Sequence, residues 1–246
     1  MLLKEWERKA IQSGRLFLDC ETYYHKDRPD NPELWGYCYA VGLGADDDSL
    51  PILVWHEMMD KGHWSREEFG AWLKWLVGQA PVTYHNSLFD MKILEKNWRV
   101  EFGDYHQVDD TMLIHGLLWS ECRHTLDFCN STEGTLNKRK HLGTYSIRYL
   151  VGDIRATIDT WKSLNKKLQA DHESRALYEK VQRPLLPAVH KAHMRGLRVN
   201  QPYLEEMAAI LYKQREDAIN VAHTYVGGPI NLRSSPQMVN WIYNLE

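Results

Sequence analysis

The chain has 246 residues, a formal net charge of −3 at neutral pH, 43% hydrophobic residues and ten tryptophans. This composition predicts a globular protein with a substantial core, and it argues against a strongly basic protein that holds nucleic acid by charge alone. No apolar run could cross a bilayer, the N-terminus lacks a signal peptide and no CxxC pair is present, so we expect a soluble cytoplasmic protein without membrane contact, zinc or disulfides.

Three successive strands are predicted near the N-terminus, at residues 15–22, 36–44 and 51–56. Two acids, Asp19 and Glu21, lie two positions apart in the first of these strands. Residues at that spacing project from the same face of a strand, so the two carboxylates converge while the residue between them points away. One short buried element therefore presents a pair of acids.

A helix is predicted after Ser65, because a capping box there precedes apolar residues at helical spacing. A short strand at residues 82–85 then leads into a second helix that carries Asn86 and Asp90. Their spacing of four places Asn86 one turn before Asp90 on the same helical face. The sequence thus brings a third acid to the start of a helix.

A strand at residues 105–109 and a helix at residues 111–118 follow, and a long helix is predicted to begin near Thr144. Tyr149 and Asp153 lie four apart on this long helix and fall off its apolar stripe, as residues that face a site should. Strands followed by alternating strands and helices predict an α/β fold with a mixed sheet flanked by helices.

The sequence changes character near Lys180, beyond which only helical patterns are predicted. Two prolines interrupt the first of these helices, Gly196 ends it, and two further helices follow. We therefore expect two domains, residues 1–180 and a short all-helical segment at residues 181–246.

Four acids in three motifs are the candidate functional residues: Asp19, Glu21, Asp90 and Asp153. Each motif alone is common, since paired acids often mark a solvated strand end or the surface of a helix. Carboxylates that converge repel one another and raise each other's pKa values unless cations neutralise them. Oxygen ligands favour Mg²⁺ or Mn²⁺, so the set predicts a site for such ions.

The order and form of these motifs resemble the three exonuclease motifs of proofreading 3′→5′ exonucleases with a tyrosine in the third motif. The most similar form is that of family A DNA polymerases, particularly those of bacteriophages. The stretch that begins at Asp110 and the passage at residues 183–200 are also similar to such polymerases, so the resemblance covers almost the whole chain. It implies a ribonuclease H-like fold, followed by the start of a polymerase thumb region.

The resemblance implies an enzyme that uses two Mg²⁺ or Mn²⁺ ions to release deoxynucleoside monophosphates from the 3′ end of single-stranded DNA. It implies that Asp19 bridges both ions, that Glu21 and Asp153 complete one ion site and that Asp90 holds the other ion. Tyr149 is expected to orient the attacking water, because a side chain with a pKa near 10 is a poor general base.

Three residues are candidates for substrate binding. Thr22 and Leu88 are expected to contact the terminal nucleotide. Asn86 either steadies the Asp90 carboxylate or touches the substrate strand, and the alternative is a simple helix N-cap. The basic stretch at residues 138–141 is likewise either part of the DNA path or a solvated loop.

Motifs for the polymerase palm and fingers do not occur in this sequence. The expected partner is therefore a polymerase region, either in the same longer chain or as a separate subunit. Two other functions remain open: a 3′→5′ exoribonuclease of the ribonuclease D type, which lacks the passage at residues 183–200, and a catalytically silent structural domain of a polymerase, which generally loses one or more of the acids.

Overall fold

The structure is a computed structural model that describes residues 2–23, 36–58, 64–101, 108–134 and 146–243. Several predicted features lie outside these ranges. They are the basic stretch at residues 138–141, the expected start of the long helix near Thr144 and the first part of the strand at residues 105–109.

Within the described ranges, five strands form one mixed sheet in the order β3-β2-β1-β4-β5. The strands are Leu16–Thr22 (β1), Cys38–Ala45 (β2), Leu53–His56 (β3), Val82–Tyr84 (β4) and Val108–Asp110 (β5). The central strand β1 is antiparallel to β2 and parallel to β4, while β3 pairs antiparallel with β2 and β5 pairs parallel with β4. The predicted mixed α/β sheet is confirmed.

Helices cover both faces of the sheet. Within the described ranges the α-helices are Leu3–Gln12 (α1), Arg66–Val77 (α2), Ser87–Trp98 (α3), Thr111–Leu118 (α4), Leu126–Glu133 (α5), Ile147–Ala170 (α6), His172–Leu177 (α7), Arg183–Arg195 (α8), Gln201–Val226 (α9) and Ser235–Tyr243 (α10). A π-helical turn, Tyr178–Gln182, joins α7 to α8. The predicted capping box is present at α2, where the Ser65 hydroxyl accepts from Glu68 N and the Glu68 carboxylate accepts from Ser65 N.

Alternate side chains of β1 enter different hydrophobic clusters on the two faces of the sheet. Leu16, Leu18 and Cys20 belong to a large cluster that also contains buried residues of α1, α2 and α3. Phe17 belongs to a second cluster, which contains buried residues of α4 and α6. Because side chains alternate along a strand, Asp19 and Glu21 project from the face that α6 covers.

A buried acid ties the π-helical turn and the start of α8 to the sheet. The carboxylate of Asp109, in the middle of β5, accepts hydrogen bonds from Arg15 Nη1 at 2.5 Å, from Tyr178 Oη at 3.0 Å and from Arg183 Nη2. On α8, buried His190 also lies within hydrogen-bond distance of the Glu95 carboxylate on α3. These polar contacts hold the segment from the π-helical turn to the end of α8 against the sheet.

The chain divides into two compact units, Met1–Arg195 and Gly196–Glu246. The first contains the sheet and α1 to α8, and the second contains α9 and α10, in which no residue is buried. The domain division predicted at Lys180 stays a prediction. No helix among the described residues has the length and apolar character needed to span a membrane.

All four cysteines lie in the described ranges as free thiols. Cys20, Cys38 and Cys129 are buried, and Cys122 is exposed in the loop before α5.

Candidate functional site

The two acids of β1 lie where that strand parts from one of its neighbours. Pairing with β2 continues through Asp19, opposite Gly42, and Glu21, opposite Ala40, whereas parallel pairing with β4 ends at Phe17. Beyond Phe17 the edge of β1 on the β4 side is therefore open to α3. Asp19 and Glu21 are both half-buried.

Two glycines of β2 allow α6 to approach the sheet closely. A Cβ atom on Gly42 would lie 2.9 Å from Ile154 Cγ1, and one on Gly44 would lie 2.7 Å from Ile154 Cγ2. Buried α6 side chains such as Leu150 and Ile154 pack in this interface. The close approach brings Asp153, one residue before Ile154, within reach of the acids on β1.

Asp19, Glu21 and Asp153, three of the four acids that the sequence predicts to converge, form an acid cluster. Each offers one carboxylate oxygen, and the three oxygens lie within 4.8 Å of one another. Burial, followed by the charges of Asp19 and Asp153, raises the pKa of Glu21 to about 9. Three half-buried carboxylates at this separation suit a hard divalent cation, which takes oxygen ligands and offsets their repulsion.

Asp90 lies beside this acid cluster but is not part of it. It is buried in the first turn of α3, and its Oδ1 accepts a hydrogen bond of 2.9 Å from the backbone N of Cys20. Burial and the nearby Asp19 charge raise the pKa of Asp90 well above its usual range. The carboxylate thus occupies the open edge of β1 next to Asp19.

Tyr149 is half-buried one helical turn before Asp153. Its hydroxyl hydrogen-bonds to the Asp153 carboxylate, and its pKa is raised by burial and by the charges of Asp153 and Glu21. At neutral pH the phenol is therefore protonated, and it can donate and accept hydrogen bonds but cannot act as a general base.

The three residues proposed for substrate binding have different surroundings. Thr22 is buried at the end of β1, and Leu88 is half-buried against the larger hydrophobic cluster. Asn86 is exposed at the N-cap position of α3, with a left-handed backbone of φ 69°, and its side chain makes no capping hydrogen bond. The structure therefore does not support a capping role for the Asn86 side chain, and contact of all three residues with substrate stays a prediction.

Sequence reasoning did not single out Asp110 as a functional residue. It is buried at the end of β5, and its carboxylate accepts from the backbone N atoms of Asn86 at 3.1 Å and Ser87 at 2.7 Å. The same carboxylate accepts from Met112 N at 2.8 Å and Leu113 N at 3.4 Å. An aspartate before a helix is a visible N-cap signal for α4, but its contact with α3 joins distant parts of the chain.

The order of the strands and the flanking helices define an α/β fold of the ribonuclease H-like type. The cluster of acids on β1 and α6 is a candidate metal centre in this fold. No family model matches this chain. Part of the chain is similar to DNA polymerase I of Chloroflexus aurantiacus, with 27% identity over 90 residues. That match covers 37% of this chain and 10% of the DNA polymerase I, so it spans a small part of the relative.

Two solved structures share the fold. The first is the POL domain of Pol1 from M. smegmatis in complex with DNA primer-template and dNTP, with a TM-score of 0.62 and 19% identity over 97% of this chain and 38% of that one. The second is a nuclease in its apo form, with a TM-score of 0.58 and 17% identity over 80% of this chain and 90% of that one. At these identities the likeness establishes the fold alone.

Proposed function

We propose that this chain is a metal-dependent 3′→5′ exonuclease that removes deoxynucleoside monophosphates from DNA 3′ ends and proofreads for a family A DNA polymerase. The observation that carries the proposal is the convergence of Asp19, Glu21 and Asp153 on one point, with Asp90 beside them. Similarity to DNA polymerase I and the fold shared with polymerase and nuclease structures support a nucleic-acid enzyme.

The residues have distinct roles in this proposal. Asp19, Glu21 and Asp153 would hold divalent cations, and Asp90 would provide a further ligand. When bound there, Mg²⁺ or Mn²⁺ would supply an activated water and would neutralise the charge that develops on the leaving 3′ oxygen. The Tyr149 hydroxyl, held by Asp153, orients the attacking water.

The proposed substrate is the 3′ end of single-stranded DNA, and Thr22, Asn86 and Leu88 are the proposed contacts. The proposed partner is a polymerase region in the same longer chain or in a separate subunit, working in the cytoplasm. A net charge of −3 fits a module that touches few phosphates and receives its substrate from a partner that holds the duplex.

Digestion of a 5′-labelled single-stranded DNA with MgCl₂ or MnCl₂ tests this function. We expect wild-type protein to shorten the strand from its 3′ end and Asp19→Ala to lose all activity. Without metal, this variant should be at least as thermally stable as wild type. The reason is that the substitution removes a carboxylate that repels Glu21 and Asp90 and raises the pKa of both. Glu121→Ala, at an exposed loop position, is the matched control and should remain active.

Full activity in Asp19→Ala would refute the assignment of the site. The same assay with RNA of identical sequence separates the two nuclease functions, since contact with the 2′-hydroxyl distinguishes the substrates. Faster digestion of RNA would replace the DNA exonuclease by an exoribonuclease of the ribonuclease D type. No digestion of either strand would indicate a catalytically silent structural domain.

A further inference from the structure

The Asp110 carboxylate joins the N-termini of two helices that are separate in the chain. Its Oδ2 accepts from Ser87 N, while its Oδ1 accepts from Asn86 N and from Met112 N. It therefore caps α4, which follows it directly, and also α3, whose own N-cap residue makes no side-chain capping bond. Since Asp110 is only 1% exposed, water cannot easily replace these charge-assisted hydrogen bonds.

The N-terminus of α3 is fixed on two sides. Asp110 of β5 holds Asn86 and Ser87, and one turn later Asp90 accepts from Cys20 N of β1. Asn86 has the left-handed conformation, which asparagine adopts more readily than most residues, and this turn directs α3 from β4 toward β1. The position of the Asp90 carboxylate thus depends on the anchor at β5.

We propose that Asp110 is a positioning residue that places α3, and with it Asp90, for divalent-cation binding and hydrolysis. This inference rests on the proposed exonuclease function. Asp110 is not one of the acids of the cluster, and it acts through the backbone of Asn86 and Ser87.

The end of β5 is itself held in place by the segment after α7. Asp110 N donates to Tyr178 Oη at 3.0 Å, and the same hydroxyl donates to Asp109 Oδ1 at 3.0 Å. Asp109 also accepts from Arg15 and Arg183. The π-helical turn and the start of α8 therefore support the anchor that positions α3.

Asp110→Asn tests the proposal, because the amide replaces one acceptor oxygen by a donor and leaves a backbone N–H of α3 or α4 without a partner. We expect kcat to fall about 10- to 100-fold while KM for the oligonucleotide changes less than about threefold. A second readout is independent of activity. The MnCl₂ concentration that gives half of the metal-induced rise in Tm should increase about tenfold.

Asp171→Asn is the matched control, since Asp171 caps α7 by accepting from Glu173 N and Ser174 N and makes no contact with α3 in the described structure. It should change both readouts less than about twofold. A folded Asp110→Asn with wild-type kcat and wild-type MnCl₂ response would overturn the proposal, and so would equal losses in the two variants.

If Asp110→Asn does not fold, Tyr178→Phe decides the matter, because it removes the hydroxyl that supports Asp110 N and keeps the ring. A fall in kcat of about threefold or more would support the positioning role, and an unchanged kcat would overturn it. If wild-type protein digests no nucleic acid, the exonuclease function fails, whereas the MnCl₂ response of the variants still tests Asp110 by itself.

Discussion

Glu21 shows how strongly burial and neighbouring acids change the pKa of a carboxyl group in the acid cluster. Its carboxyl is half-buried beside Asp19 and Asp153, and its pKa is raised from about 4.5 to about 9. A group whose pKa is raised on folding stabilises the protein fully below its unfolded pKa, and that stabilisation is lost as the pH rises through the folded value. The pH range over which this stabilisation by Glu21 is lost therefore extends from about pH 4.5 to about pH 9.

We expect metal-free protein to lose roughly 1–2 kcal/mol of unfolding free energy between about pH 6 and pH 8.5, with solvent screening of a half-buried group taken into account. Urea denaturation in a chelating buffer measures this loss. Glu21→Gln should make the loss smaller, and MnCl₂ should restore stability most at the higher pH. The same pH dependence in Glu21→Gln and wild type would contradict this account.

Replacement of Tyr149 tests whether its hydroxyl orients the attacking water. Tyr149→Phe keeps the ring and removes the hydroxyl that bonds to Asp153. We expect kcat for single-stranded DNA to fall by up to about a hundredfold, because a misplaced nucleophile slows the reaction without changing the chemistry. Metal binding, followed by the MnCl₂-induced rise in Tm, should persist. An unchanged kcat would remove Tyr149 from the mechanism.

The packing of α6 on β2 determines the position of Asp153, the acid that α6 contributes to the acid cluster. Gly44→Ala would put a Cβ atom 2.7 Å from Ile154 Cγ2 and 3.0 Å from Ile158 Cδ1. Both isoleucines are buried on α6, so the helix must shift, and we expect a loss of about 1–3 kcal/mol in unfolding free energy. Because Asp153 moves with α6, nuclease activity should fall as well.

Gly228→Ala is the control for this substitution, since nothing lies within 4 Å of a Cβ at that position. It should change unfolding free energy by no more than about 0.5 kcal/mol. Thermal or urea denaturation of the two variants gives the comparison. A Gly44→Ala variant as stable as wild type would show that α6 does not depend on this close contact.

Most of the elements follow local patterns, and so sequence alone predicts them. The helix expected at residues 111–118 is observed as Thr111–Leu118, and the strand expected at residues 51–56 is observed as Leu53–His56. Helix α1 is not among the predicted elements, since Leu2 provides no capping side chain that would mark its start. Its apolar residues do fall on one face, which buries Trp6 and Ala10.

Local sequence patterns predict only part of the candidate site. The convergence of Asp19 and Glu21 follows from strand alternation, which needs only neighbouring residues. The bond from Cys20 N to Asp90 joins residues 70 positions apart, and the cap that Asp110 gives to α3 also spans distant parts of the chain. No local pattern contains these contacts, so only the folded chain shows them.

The division of the whole molecule into two units has a direct consequence for its behaviour. The first unit contains the sheet, both larger hydrophobic clusters and the acid cluster. The second unit buries none of the residues of its helices and exposes large apolar side chains, among them Leu197 at 94%, Tyr225 at 83% and Tyr243 at 79%. Exposed apolar surface of this extent favours association.

A chain that ends at Arg195 should therefore fold and keep its Tm within about 2 °C of the full chain. It should also keep its response to MnCl₂, because every acid of the cluster lies in the first unit. Light scattering should show less concentration-dependent association for the shortened chain than for the full chain. An unfolded or metal-insensitive product would show that the first unit depends on the second.

The positions of the four thiols allow a spectroscopic label to be attached at a single cysteine. Burial raises the pKa of Cys20 well above its usual range and that of Cys129 to about 12, so neither forms the reactive thiolate readily. Cys38 is buried as well, which leaves Cys122 as the accessible cysteine. A maleimide dye added to the folded native chain would attach at that one position, so fluorescence studies need no cysteine-free background.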